Sequence, residues 1–276
     1  MYSGFNYKVS NANKFTQYVS EGEKLFEIHK RIIKDEINNY LVNGILDGTK
    51  IQNDWFPAIK ADIFISHSHK DETIAMGLAG WLYEKFNITA FIDSCVWGNS
   101  VKLLRDIDEA HSRMDSNPDM FDYDKRNYST SHVHMMLQTA LYKMIDNVEA
   151  VFVLNTDNSF ETIEKVKNTI KNKTSSPWIF SEIIATTLIR KKSLSEYRTQ
   201  PTLEHRNFAE NNKSLNIEYD IDLTQLIKID SNILDEWYRK YEGSSRSISN
   251  LNYNLNNEIA MDFLYKLIEH ENANKK

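Results

Sequence analysis

Apolar and polar positions come in blocks along residues 61–98: a short apolar run at 62–66, a polar loop, an amphipathic stretch, a second apolar run at 88–92 and another polar loop. Between the two runs Ile74, Leu78, Trp81, Leu82 and Lys85 recur at helical spacing, and Asp71 suits the N-cap of that helix. Strand, helix and strand in this order predict a right-handed βαβ unit of a parallel sheet. Ligands of such sheets lie beyond the carboxyl ends of the strands, so residues 66–71 and 93–99 are expected on one rim.

The rest of the chain reads as helices around further strands. Residues 1–60 look helical, with Leu25, Ile28 and Ile32 beside Phe26, Ile33, Ile37, Tyr40 and Leu41 in one wide stripe. That stripe suits packing on the main domain or a dimer surface. A helix is expected about 103–111, and the polar stretch 112–131 reads as a surface insertion or lid. Ser129, Thr130 and Ser131 offer a cap to the next helix, whose face is Val133, Leu137, Ala140, Leu141 and Met144. The run 148–154 predicts a third strand. Ser175 or Ser176 caps a helix with Pro177 in its first turn and Ile179, Phe180, Ile183, Ile184 and Leu188 as its buried face. Ile217, Tyr219, Ile221 and Leu223 alternate as a strand, and a helix starts near Ser231. The expected division is a helical extension (1–60), an α/β domain (61–242), and a linker with a terminal helix (243–276).

Composition narrows the function classes. The chain has 276 residues, 41% of them hydrophobic and 12% aromatic, enough for a substantial core. A net charge of -6 gives no basic footprint for nucleic acid. No apolar run approaches the length of a membrane span, and the start lacks the basic and apolar blocks of a signal peptide. The single cysteine, Cys95, suits a reducing cytoplasm. With 8 Gly and 4 Pro, an all-β fold built on tight turns is disfavoured.

Four constellations could carry chemistry. Trp178 and Glu182 share a helix face at i and i+4, where a ring can stack and a carboxylate can offset a developing cation; a core tryptophan with a solvated glutamate is the plain alternative. Ser66, His67, Ser68, His69, Lys70 and Asp71 follow the first run. They suit phosphate and ribose binding, or, as HxHxD, a metal site like the first signature of metallo-β-lactamase-like hydrolases. Glu72 stands where that signature has another histidine. His132 and His134 point apart on a helix, which makes them a poor metal pair. Asp93 ends the second run, with Trp97 and Gly98 on the loop behind it. Cys95 reads as a small filler.

Taken together, ADIFISHSHKDE, GLAGWLYEKF, ITAFIDS and SPWIFSEI resemble a Toll/interleukin-1 receptor (TIR) domain of the bacterial type over about residues 61–241. The resemblance implies a flavodoxin-like fold with helices flanking a parallel sheet, plus N- and C-terminal helical additions. It also implies cleavage of the nicotinamide–ribose bond of NAD, as substrate and without a cofactor or metal, with Glu182 as the catalytic carboxylate. Trp178 would stack on nicotinamide or ribose, His67, Ser68, His69 and Lys70 would meet the phosphates, Asp93 a ribose hydroxyl, and Ser66 would also bind the substrate. Trp97 would lie on the mobile loop, and His132 and His134 would position an acceptor. The chain is similar to the TIR subunits of Thoeris anti-phage systems. That likeness implies assembly through TIR surfaces into a homo-oligomer, and a cyclic or conjugated ADP-ribose signal that diffuses to a separate effector. A non-catalytic TIR interaction module and a metal-dependent hydrolase using the HxHxD stretch are the alternatives.

Overall fold

The computed structural model describes residues 1–27, 37–43, 45–97, 100–165, 169–198, 219–248 and 257–273. Its centre is a five-stranded, all-parallel sheet. In chain order the strands are β1 (Ser3–Lys8), β2 (Ile63–Ser66), β3 (Ala90–Phe91), β4 (Ala150–Asn155) and β5 (Ile227–Ile229). In space they run β5-β1-β4-β2-β3. Counted from β2 as the first strand, this is the flavodoxin order, except that the fourth place is filled by the N-terminal strand.

That strand corrects the expectation of a helical extension at 1–60. Ser3–Lys8 lies between β4 and β5, in register with Ala150–Asn155 on one side, Phe5 opposite Phe152. The segment SGFNYK carries only a short alternation, Phe5 and Tyr7 beside Asn6 and Lys8, and the sheet buries all of it but Lys8, polar Asn6 included. The sheet cannot be completed from residues 61–242 alone.

Helices cover the sheet. Those used below are α1 (Val19–Glu27), α2 (Gly48–Trp55), α3 (Glu72–Phe86), α4 (Ser100–His111), α5 (Tyr123–Asn147), α6 (Pro177–Leu188), α7 (Ser231–Ile248) and α8 (Asn257–Ala273). The stripe of the N-terminal region turns inward in part: Phe26, Ile37 and Tyr40 are buried, Leu41 is exposed, and Ile28, Ile32 and Ile33 lie outside the described residues. Two glycines let α1 and α3 touch backbone to backbone. A methyl on Gly22 would collide with the Met76 carbonyl, and one on Gly80 with the Tyr18 carbonyl. On α3, Leu78, Trp81 and Leu82 are buried as the spacing predicts. Trp81 meets Trp237 of α7 edge-on, and Phe86 stacks on Trp237 at 4.1 Å.

The stretch 112–131, expected as a surface insertion or lid, has regular structure. It forms a small hairpin, Arg113–Met114 against Asn117–Phe121, and then the first turns of α5. Asp122 caps that helix, its carboxylate accepting from the Lys125 N–H at 2.9 Å. Ser129, expected as a cap, is instead buried and donates to Asp108 of α4, which also accepts from Ser112 and Arg126. A buried carboxylate with three donors fixes the angle between α4 and α5 and outweighs the local capping preference of a serine-rich run. The C-terminal linker is shorter than expected, because α7 runs to Ile248 and α8 starts at Asn257. Ile217 lies outside the described residues; the strand there is Tyr219–Ile221, in a separate antiparallel sheet. Among the described residues no helix is long and apolar enough to cross a membrane.

Candidate functional site

The switch point of the sheet lies between β2 and β4, since β2 connects outward to β3 while β4 lies on its other side. The loops leaving these two strands are tied together by Asp71. It is buried, and its carboxylate accepts from Thr156 Oγ1 at 2.5 Å and Asn158 Nδ2 at 2.7 Å. The expected N-cap bond of Asp71 to its own helix is therefore absent. Two donors from the neighbouring loop compete for the same oxygens and win, which ties the two loops together at the switch point.

Glu182 reaches this rim from α6. The helix starts as its sequence predicts, with Ser176 accepting from the Ile179 N–H at 3.2 Å and Pro177 in the first turn. The face it buries is rotated from the expected one. Ile179 and Ile183 are inside, but so are Ser181, Glu182, Ala185 and Thr186, while Leu188 is 75% exposed. The helix is apolar nearly all round, so periodicity could not choose the face. Polar contacts choose it: Ser181 donates to Tyr142 and accepts from Gln138 of α5, both at 3.2 Å. They stand one residue before Glu182 and set its direction.

Glu182 is 2% exposed. Burial pushes its carboxyl well above the usual carboxylate range, the nearby Asp93 carboxylate pushes the same way, and the Ser66 hydroxyl pulls part of the way back. Ser66 Oγ and Glu182 Oε2 are both buried and neither has a hydrogen-bond partner. Such atoms are costly unless a ligand satisfies them. Ser66, Asp93 and Glu182, from three separate segments, thus meet at the carboxyl ends of β2 and β3.

His67 lies beneath the rim. Its side chain is 1% exposed, its Nε2 is 3.1 Å from Ser94 Oγ, and its Nδ1 is 3.9 Å from Asp93 Oδ1. Burial lowers its pKa, with Asp93 acting against that and His69 with it. His69 and Lys70 are exposed and Ser68 is half-buried, on the turn above. The rings of His67 and His69 are 6.5 Å apart. Among the described residues no group of three His, Cys, Asp or Glu side chains is placed to hold a metal ion.

Trp178, one turn before Glu182, is half-buried, and the ring of His134 meets it edge-on at 6.0 Å. His134 therefore belongs to the site's border. His132 does not: it is exposed and packs on Tyr128 at 4.5 Å. Trp97 is also not brought to the site. It is buried, donates its Nε1–H to the Pro57 carbonyl at 2.9 Å, and packs edge-on against Phe91 and Phe56. Gly98 lies outside the described residues. Sequence reasoning passed over Gln138, Tyr142 and Ser181, which aim Glu182, and Ser94, the partner of His67. Of these only Ser94 had a signal, its place directly after a strand-end aspartate.

No protein-family model, no curated protein and no solved structure matches the chain.

Proposed function

We propose that this protein is a TIR-type enzyme that cleaves the nicotinamide–ribose bond of NAD, with NAD as substrate and no cofactor. The observation that supports this reading is the buried Glu182 carboxyl, one helical turn from a half-buried tryptophan and beside the ends of two parallel strands. Nicotinamide in NAD is already a cationic leaving group. The C1′–N bond breaks with its electron pair going to nitrogen, and the barrier is the oxocarbenium character left on the ribose. A carboxylate in a dry site offsets that charge far better than one in water.

The raised pKa of Glu182 fits this task. Burial and the Asp93 carboxylate both shift it toward the acid form. The positive charge of the bound pyridinium favours the carboxylate, so the substrate would ionise its own catalyst. Trp178 would stack on the nicotinamide or ribose, Asp93 and Ser66 would hold ribose hydroxyls, and Ser68, His69 and Lys70 would face the diphosphate. His134 would border the acceptor side.

The reading extends to a cyclic or conjugated ADP-ribose signal in cytoplasmic anti-phage immunity, homo-oligomer assembly through TIR surfaces, and a separate effector. Chromatography of NAD incubated with concentrated protein, alone and in extract of phage-infected cells, tests it. Nicotinamide release in either supports the reading; silence in both removes it and leaves a binding module.

A further inference from the structure

Ser94, His67 and Asp93 form a hydroxyl, an imidazole and a carboxylate in sequence. Ser94 Oγ is 3.1 Å from Nε2 of His67, whose Nδ1 is 3.9 Å from Asp93 Oδ1. Nδ1 is buried and has no hydrogen-bond partner. Ser94 is half-buried and Asp93 keeps 27% of its side chain exposed, so the two ends of the chain reach the rim while the imidazole is sealed beneath it. A sealed histidine cannot touch a substrate directly, but it can take a proton from the one hydroxyl it faces. With Nε2 accepting from Ser94, the neutral ring carries its proton on Nδ1, toward Asp93. A gap of 3.9 Å is longer than a hydrogen bond, and catalytic hydrogen bonds are often long until substrate binds.

We propose that Ser94, activated by His67 and oriented through Asp93, is a nucleophile that captures the ADP-ribosyl group. The electrophile rests on the NAD reading above; the relay does not. The C1′–N bond breaks with its electron pair going to nicotinamide, a bond forms between Ser94 Oγ and C1′, and the serine proton passes to His67 Nε2. The products are neutral nicotinamide, an ADP-ribosylated Ser94 and a protonated His67 facing Asp93. The group can then pass to a second hydroxyl: its oxygen bonds to C1′ as the Ser94 Oγ–C1′ bond breaks, His67 returns its proton to Ser94 Oγ, and the acceptor's proton goes to solvent.

The test has two arms on the full chain. In one, protein is incubated with NAD, quenched in acid and mapped by peptide mass spectrometry while nicotinamide is measured. In the other, an alkyl fluorophosphonate probe reports an activated serine without any NAD chemistry. The expected result is an ADP-ribosyl increment on the peptide holding Ser94, absent from Ser94→Ala, and phosphonate labelling of Ser94 that slows roughly 100-fold in His67→Gln. Because His67 is buried, Asp93→Asn serves as the second variant, with circular dichroism on each. Ser94 unmodified in both arms overturns the proposal, whether or not nicotinamide appears. Labelling by the phosphonate with nicotinamide released and Ser94 bare overturns the acceptor role. Labelling with no nicotinamide release keeps the relay and removes NAD as its electrophile.

Discussion

Glu182 of α6 lies beside Asp93, which follows β3, and the Asp93 carboxylate disfavours ionisation of Glu182. Glu182 is the more deeply buried of the two. An unfolded chain imposes no such burden on Glu182, so its proton is held more tightly in the folded state. The stability this contributes is full below the ordinary carboxylate pKa and is lost as pH rises through the raised folded value. Glu182→Gln removes the titration and keeps the shape. Urea denaturation from acid to neutral pH should therefore show the variant gaining on the wild type as pH rises. A wild type that gains on the variant over that range would contradict the burial argument.

Trp178 should act on binding more than on folding. It is half-buried at the start of α6 and touches the ring of His134. Base–aromatic stacking contributes about 1–3 kcal/mol. Trp178→Ala is expected to raise KM for NAD by roughly 10- to 100-fold, with Trp178→Phe recovering most of it. Steady-state kinetics with a melting curve for each variant checks this. An unchanged KM would place the substrate elsewhere.

Trp97 should behave in the opposite way. Its indole N–H satisfies the buried Pro57 carbonyl. Trp97→Phe keeps the aromatic packing but orphans that oxygen, at a cost of about 1–3 kcal/mol. The expected result is a lower denaturation midpoint with KM for NAD unaltered. A raised KM at constant stability would return Trp97 to the site.

Asp71 is the tie across the switch point. Asp71→Ala leaves Thr156 and Asn158 without their shared acceptor and should destabilise the protein by about 1–3 kcal/mol. Hydrogen exchange should rise in the loops after β2 and β4 together. A rise in only one of them would show that the carboxylate does not couple them.

Local patterns carried β2, α3, β4 and α6, because each is a short apolar run or a face with caps at its ends. The strand Ser3–Lys8 escaped because its alternation is only four residues long, from Phe5 to Lys8, and its partners lie far away in sequence. The same limit hid which face of α6 turns inward. Glu182 and Trp178 were legible as a pair at helical spacing, but the contacts that bury Glu182 involve Ser181, Gln138 and Tyr142 on two helices. Trp97 misled because a tryptophan beside a glycine on a strand-end loop looks exposed, and the Pro57 carbonyl that draws it inward has no sequence signature.

The measurement that bears most directly on the central claim is mass spectrometry of NAD incubated with the wild type and with Glu182→Gln at equal, high concentration. The account predicts nicotinamide and an ADP-ribose-derived product from the wild type. The variant should lose at least about 100-fold in rate while keeping its circular dichroism spectrum. Equal nicotinamide release by a folded Glu182→Gln protein would contradict it, because no other group at the rim would then need the buried carboxylate.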